Sequence, residues 1–187
     1  MPALRLRHLA LAAFAAVAGC SAVPGSGVSV DYYNVRGTTA PQIDGEIRRN
    51  GPNNGHALAV ARIQMIPDVA YDQRPDGTCR YRTARVGVAA RITLPRFIDR
   101  GRTDRDLRRA IDNLDEYARF HEAVHVAIAE EYADRIGADI RRLPPANSCE
   151  TLDAQAATIS RRLLREHDAA QKKFDRDEQV RLAALTS

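Results

Sequence analysis

Residues 104–137 read DRDLRRAIDNLDEYARFHEAVHVAIAEEYADRIG, and this stretch decides the fold. Apolar side chains recur in it at spacings of three and four, the period of an amphipathic helix. Thr103 or Asp104 can cap the start and Gly137 can end it, so the sequence predicts a helix over residues 104–136. The predicted inward stripe is Leu107, Ile111, Leu114, Ala118, His121, His125, Ile128 and Tyr132.

Two histidines stand in this stripe at positions where the pattern asks for apolar side chains. His121 and His125 are four residues apart, so both imidazoles point the same way and can bind one Zn²⁺. Glu122 beside them is a candidate base for a water molecule that the metal activates. The alternative is a pair of packed histidines with ordinary hydrogen-bond partners. We predict a zinc site with Glu122 as its catalytic residue.

A catalytic zinc site needs a third protein ligand. A second helix is predicted from Asn147 or Ser148 to about residue 175, and its apolar stripe contains one histidine, His167. If the two helices pack antiparallel, His167 lies roughly 4.5 Å along the axis beyond the level of His121. We predict His167 as the third ligand, although it could also be a packed core residue.

Carboxylates near these histidines are weaker ligand candidates. Glu150 lies roughly 15 Å from the level of His125, and Glu166 is about 100° off the stripe. Asp168 and Asp175 are better placed to hydrogen-bond a ligating histidine than to bind the metal. His56, in a loop, is a further but weaker candidate ligand.

Alternating patterns outside the helices predict strands. Residues 57–65 alternate until Pro67 interrupts them, residues 86–94 alternate more clearly, and residues 30–35 alternate weakly. A short helix is predicted around Ile43 and Ile47. The expected fold class is α+β, with a small antiparallel sheet packed on two long helices and a short N-terminal helix.

The first segment resembles an export signal. Two arginines precede an apolar run that is too short to span a bilayer and ends in VAGC, with Cys20 last. This resembles a bacterial lipobox, so we predict a signal peptide over residues 1–19, lipidation at Cys20 and a tether over residues 20–30. One domain, residues 31–187, would follow. By resemblance to known lipoproteins, Ser21 after the cysteine implies the outer membrane, so we expect a periplasm-facing lipoprotein of the bacterial cell envelope.

The cysteines agree with export, and the net charge bears on the class of partner. If Cys20 carries lipid, Cys79 and Cys149 remain as an even pair in an oxidising compartment, where a disulfide is favoured over two free thiols. The formal charge of +4 falls to +2 without the two arginines of the signal peptide. Neither this charge nor the scattered arginines indicate a nucleic-acid partner.

Several short motifs, in order, resemble the family called domain of unknown function 922, predicted secreted zinc-dependent proteases. They are Tyr32-Tyr33-Asn34-Val35 with Gly37, Asn50-Gly51-Pro52, Cys79 leading into Val86–Leu94 and Pro95-Arg96, Phe120-His121-Glu122 with His125, Cys149, and Phe174-Asp175. The resemblance implies a zincin-like domain with His121 and His125 as ligands, Glu122 as base and a Cys79–Cys149 bridge.

The chain departs from that family pattern at two places. Val124 stands where the family commonly has glycine, and no Thr and His-Gly follow Asp175. If that later histidine is the family's third ligand, then His167, Asp175 or Asp177 replaces it, or the site is degenerate.

Three functions are compatible with these residues. The first is a membrane-anchored periplasmic zinc peptidase that acts on peptides or proteins of the envelope. The second is an inactive lipoprotein that serves as an interaction module, and the third is a zinc hydrolase of a non-peptide envelope substrate such as a cell-wall amide. We favour the peptidase.

Overall fold

The computed structural model describes residues 23–185, so the predicted signal peptide, Cys20 and Ser21 lie outside the described residues. The elements are β1 (Gly27–Val35), α1 (Ala40–Asn50), the short helix α2 (Pro52–Gly55), β2 (Val60–Gln73), β3 (Cys79–Phe97), a 3-10 turn (Arg100–Arg102), α3 (Arg105–Arg141) and α4 (Cys149–Leu185). The fold class is therefore α+β, as predicted. Residues 27–30, expected in the tether, belong to β1. Within the described range, no helix is long and apolar enough to span a bilayer.

The sheet is mixed, which corrects the prediction of an antiparallel sheet. Its strand order is β1-β3-β2, with β1 parallel to β3 and β2 antiparallel to β3. The β2–β3 hairpin is antiparallel because a tight turn joins it. The connection over residues 36–59, which contains α1, carries the chain past the position of the central strand, so β3 inserts between the two earlier strands. Alternation within a strand does not reveal such an order.

Strand β2 continues through Pro67, where the sequence analysis ended it. Pro67 is paired with Val86 of β3, on a strand at the edge of the sheet. A proline lacks an N–H group, and an edge strand needs none on its outer side. The long hairpin that results places residues 57–63 beside the middle of α3.

Helix α3 packs on β3 mainly through small side chains. Asp104 caps it, accepting hydrogen bonds from the backbone N–H groups of Asp106 (2.9 Å) and Leu107 (2.8 Å). The sequence analysis predicted that this helix ends at Gly137, but it continues to Arg141. A Cβ atom on Gly137 would lie 3.2 Å from the carbonyl oxygen of Ala84, so this glycine permits the close approach. The buried side of the helix includes Ala118, Val126, Ala129, Ala133, Ile136 and Ile140.

Only the first part of the predicted stripe of α3 faces the core, where Ile111 and Ala118 are buried. Glu122 lies on the buried side, whereas His121 and His125 are half-buried. Successive helical residues are about 100° apart, so the two histidines face sideways, toward α4. The reason is that α3 packs against two neighbours, the sheet and α4. Its covered surface is therefore wider than one stripe.

Helix α4 is fastened to the sheet at its N-terminal end. The predicted disulfide joins Cys79 of β3 to Cys149, with 5.0 Å between their Cα atoms and a sequence separation of 70. Near it, the hydroxyls of Tyr71 and Tyr81 both donate hydrogen bonds to Asp153. These contacts fix where α4 begins, and they thereby set which of its residues reach His121 and His125.

The disulfide leads to a stability prediction. Replacing Cys79 and Cys149 together with alanine should lower the free energy of unfolding by about 2–5 kcal/mol, because a bridge across so long a loop restricts the unfolded chain. Urea unfolding followed by circular dichroism measures the change. Reducing agent should destabilise the wild-type protein and leave the double variant unaffected. An unfolding midpoint of the wild type that does not respond to reductant would contradict the prediction.

The packing at Gly137 predicts a contrast between two identical substitutions. Gly45→Ala in α1 should stabilise by about 0.5–1 kcal/mol, because alanine restricts the unfolded chain. There the new Cβ meets only the mobile end of Arg49, at 3.2 Å. Gly137→Ala should bring no gain and should destabilise, because its Cβ meets the Ala84 backbone. Equal stabilisation by both substitutions in urea unfolding would show that the contact is not tight.

Candidate metal centre

Three side chains from the two long helices converge on one point. His121 and His125 are one turn apart on α3, and their Nε2 atoms are 3.0 Å apart. Asp175 on α4 places Oδ1 3.3 Å from Nε2 of His121 and 3.0 Å from Nε2 of His125. These three residues form a group that could hold a metal ion, with all ligand atoms within 4.8 Å of one another.

His167 lies outside this group, contrary to the sequence-based assignment. Its Nε2 atom is 2.9 Å from Nε2 of Gln171, and its Nδ1 atom is 3.3 Å from Oδ1 of Asp168. Asp168 therefore contacts His167 and is exposed. Asp175, which was assigned to an orienting role, is the residue of α4 that groups with the two histidines.

Glu122 lies beside the group, on the sheet-facing side of α3, and only 5% of it is exposed. Burial raises the pKa of its carboxyl above the ordinary value, and the negative charge of Asp175 adds to this. His125 and a hydrogen bond from the Ala61 backbone oppose the shift. A carboxyl with a raised pKa is a better general base near neutral pH than an exposed one.

The Nδ1 atom of each histidine in the metal group has a hydrogen-bond partner of its own. Nδ1 of His121 is 3.3 Å from the hydroxyl of Tyr117, and Nδ1 of His125 is 2.5 Å from Oε1 of Gln171. The ring of Phe174 packs on both imidazoles, with centroids 4.9 and 5.1 Å away. Burial first, and then the neighbouring His125, lowers the pKa of His121. The neutral imidazole, which can bind a metal, is thereby favoured.

The group opens onto two adjoining hollows of about 360 and 460 Å³, which share residues of the metal group. The β2 side of both hollows is formed by residues 57–61, among which Ala57 and Ala59 line both. Left-handed backbone at Asn53 (φ 53°) and Asn54 (φ 58°) turns the chain into this wall. His56, the weak ligand candidate, lines one hollow and is not in the metal group.

The remaining carboxylate candidates have other partners. Glu166 accepts hydrogen bonds from Arg135 (2.9 Å) and Arg162 (2.8 Å), so it belongs to ion pairs that involve both long helices. Glu150 is exposed in the first turn of α4, beside the disulfide. Asp177 pairs with Lys173 at 2.5 Å and is 61% exposed. Asp175 is therefore the one carboxylate of α4, within the described residues, that joins the metal group.

Sequence reasoning missed the contributions of Gln171, Tyr117 and Glu178. Helix α4 was expected to end near residue 175, but it runs to Leu185. Glu178, which is 9% exposed, lies in this extension and pairs with Arg181 at 2.7 Å. The helical pattern of the sequence continues after Asp175, and this continuation could have predicted the extension of α4.

Comparison with known proteins gives one match. The model of the family described as a bacterial protein of unknown function, DUF922, matches residues 30–181. No curated protein and no solved structure matches the chain. The matched range includes β2, β3, most of β1 and both residues of the disulfide. The chain therefore belongs to the DUF922 family.

Proposed function

We propose that this protein is a zinc-dependent peptidase of the bacterial cell envelope. The observation that carries the proposal is the convergence of His121, His125 and Asp175 beside the buried carboxyl of Glu122. Two imidazoles, one carboxylate and an adjacent base are the parts of a hydrolytic zinc site.

The spacing of the three donor atoms fits zinc. Four ligands placed tetrahedrally at about 2.0–2.1 Å from zinc are roughly 3.3 Å from one another. The three measured separations are 3.0, 3.3 and 3.0 Å. One carboxylate with two imidazoles is also a ligand set that suits zinc.

The number of ligands supports a catalytic site over a structural one. Structural zinc sites have four protein ligands, whereas catalytic sites have three and keep one position open. Among residues 23–185 the group has three members, and it lines both hollows in part. A substrate can thus reach it from the solvent.

Glu122 would act as the general base and then as the general acid. When bound, zinc would supply a Lewis acid that polarises the substrate carbonyl and acidifies water. Glu122 would accept a proton from the attacking water and pass it to the nitrogen of the leaving amine as the C–N bond breaks. The carboxyl of Glu122 lies near the Ala61 backbone, in the hollow that the two histidines also line. It would therefore be close to a substrate carbonyl at the metal group.

The strand beside the site favours a peptide substrate. β2 is at the edge of the sheet, and its first residues line the hollow next to the metal group. An extended peptide can add to such an edge through backbone hydrogen bonds. The small side chains of Ala57, Ala59 and Ala61 leave room for the side chains of a bound peptide.

The envelope location is also part of the proposal. Val23 is buried and packs on Gly87, where an added Cβ would lie 2.7 Å from it. If Cys20 is lipidated, the three residues that follow span at most about 10 Å. The domain would then be held close to the membrane surface.

Zinc affinity should distinguish the three candidates for the third ligand, which are His167, Asp175 and Asp177. His121→Ala, His125→Ala and Asp175→Asn should each weaken zinc binding by more than about 100-fold, beyond the 10–100-fold typical of outer contacts. His167→Ala should change it by less than about tenfold. Asp177→Asn, on the same helix but exposed, is the matched control and should have no effect. Competition with a chromophoric chelator measures these affinities. Loss of zinc in the His167 variant, with retention in the Asp175 variant, would refute the assigned ligands.

Glu122→Gln should keep zinc and lose hydrolysis. Because glutamine cannot accept the proton, the rate should fall by about 10²–10⁴-fold. Release of fluorescent peptides from labelled casein measures activity, and mass spectrometry measures bound zinc. Glu116→Gln, at an exposed position of the same helix, is the control.

The same assay separates the other functions. Cleavage of purified cell-wall fragments without cleavage of casein would favour the hydrolase of a non-peptide substrate. A wild-type protein that holds zinc and cleaves neither would favour an interaction module.

A further inference from the structure

The carboxamide of Gln171 contacts three groups of two histidines. Its Oε1 atom is 2.5 Å from Nδ1 of His125, and its Nε2 atom is 2.9 Å from the backbone carbonyl oxygen of His125. The same Nε2 atom is 2.9 Å from Nε2 of His167. Gln171 is half-buried between these residues, on the α4 side of the metal group.

The position of the protons follows from these partners. A backbone carbonyl oxygen only accepts hydrogen bonds, so the amide nitrogen of Gln171 must face it and donate. Oε1 must then face Nδ1 of His125. Since Oε1 also only accepts, Nδ1 of His125 must carry a proton. In the neutral ring this leaves Nε2 of His125 bare, and Nε2 is the atom that points at Asp175 and His121.

The second N–H of the same amide extends this order to His167. It donates to Nε2 of His167, which must therefore be bare in the neutral ring. The proton of His167 is then on Nδ1, which faces Oδ1 of Asp168 at 3.3 Å. One amide thus determines the tautomers of two histidines on two helices.

His121 has a different neighbour at its outer nitrogen. Its Nδ1 atom is 3.3 Å from the hydroxyl of Tyr117, which can donate or accept, so this contact is compatible with either tautomer of His121. The amide of Gln171 therefore determines the tautomers of His125 and His167 alone.

We propose that Gln171 is a positioning residue that fixes His125 in the metal-binding tautomer and couples it to the tautomer of His167. A histidine that binds a metal through one nitrogen needs its other N–H held by an acceptor. Gln171 supplies that acceptor before any metal binds. The significance of this role rests on the proposed zinc site, but the tautomers themselves do not.

Nitrogen NMR of the full-length, metal-free protein tests the proposal. The spectra are taken about two pH units above the ordinary histidine pKa of about 6.5. Wild-type His125 and His167 should each show a protonated Nδ1 and a bare Nε2. Gln171→Leu should leave both rings as mixtures of tautomers. Gln171→Glu should keep the tautomer of His125, because a carboxylate still accepts, and should release that of His167, because a carboxylate cannot donate.

Zinc affinity provides the second measurement. Gln171→Leu should weaken binding by about 10–100-fold, whereas Gln171→Glu should stay within about tenfold of the wild type. Gln155→Leu, at an exposed position of the same helix, should change neither the spectra nor the affinity. The signals of His121 should be the same in all variants and show that the site remains folded.

The outcomes distinguish this proposal from the proposed function. A proton on Nε2 of His125 in the wild type, or unchanged tautomers in Gln171→Leu, would overturn the role of Gln171. The expected tautomers in a protein that binds no zinc would instead overturn the zinc site and leave the role of Gln171 in fixing the tautomers intact.

Discussion

The close packing of α3 on β3 is the constraint on which the site depends. Small side chains and Gly137 bring the helix axis near the sheet, and this contact fixes the rotation of the helix about its own axis. Once Ala118 and Val126 face the sheet, Glu122 between them must face it too. His121 and His125 are then turned toward α4. The packing of α3 on the sheet thus sends Glu122 to the buried side and His121 and His125 to the groove between the helices.

The position of α4 along α3 decides which residue completes the metal group. At its N-terminal end α4 is tied by the Cys79–Cys149 bridge and by Asp153. Farther along, Glu166 bonds Arg135 of α3. In a straight helix the rise per residue is constant, so these ties also determine the level of Asp175. Which residue of α4 meets His121 and His125 is therefore a consequence of contacts that lie far from them.

The sequence predicted the parts of this site that depend on periodicity, and it failed where distance along an axis mattered. Spacing of four in a helical stretch was enough to find His121, His125 and the adjacent Glu122. The estimate placed the turn between the two helices too early in the chain, in part because α3 runs past Gly137 to Arg141. His125 contacts Gln171, and Asp175 rather than His167 groups with the two histidines. Similarly, alternation identified the strands, but the parallel pairing of β1 required knowledge of where the chain crosses the sheet.

The two ends of α4 are held by different kinds of contact. At its N-terminal end the disulfide joins α4 to β3, and the apolar side chains of Leu152 and Leu163 are buried. Near the site, the described contacts between α3 and α4 come from the histidines, Asp175, Gln171 and the ring of Phe174. These residues are the metal group and its immediate neighbours. A cation bound there would add a link between the two helices, so metal binding and the stability of this helix pair would be thermodynamically linked.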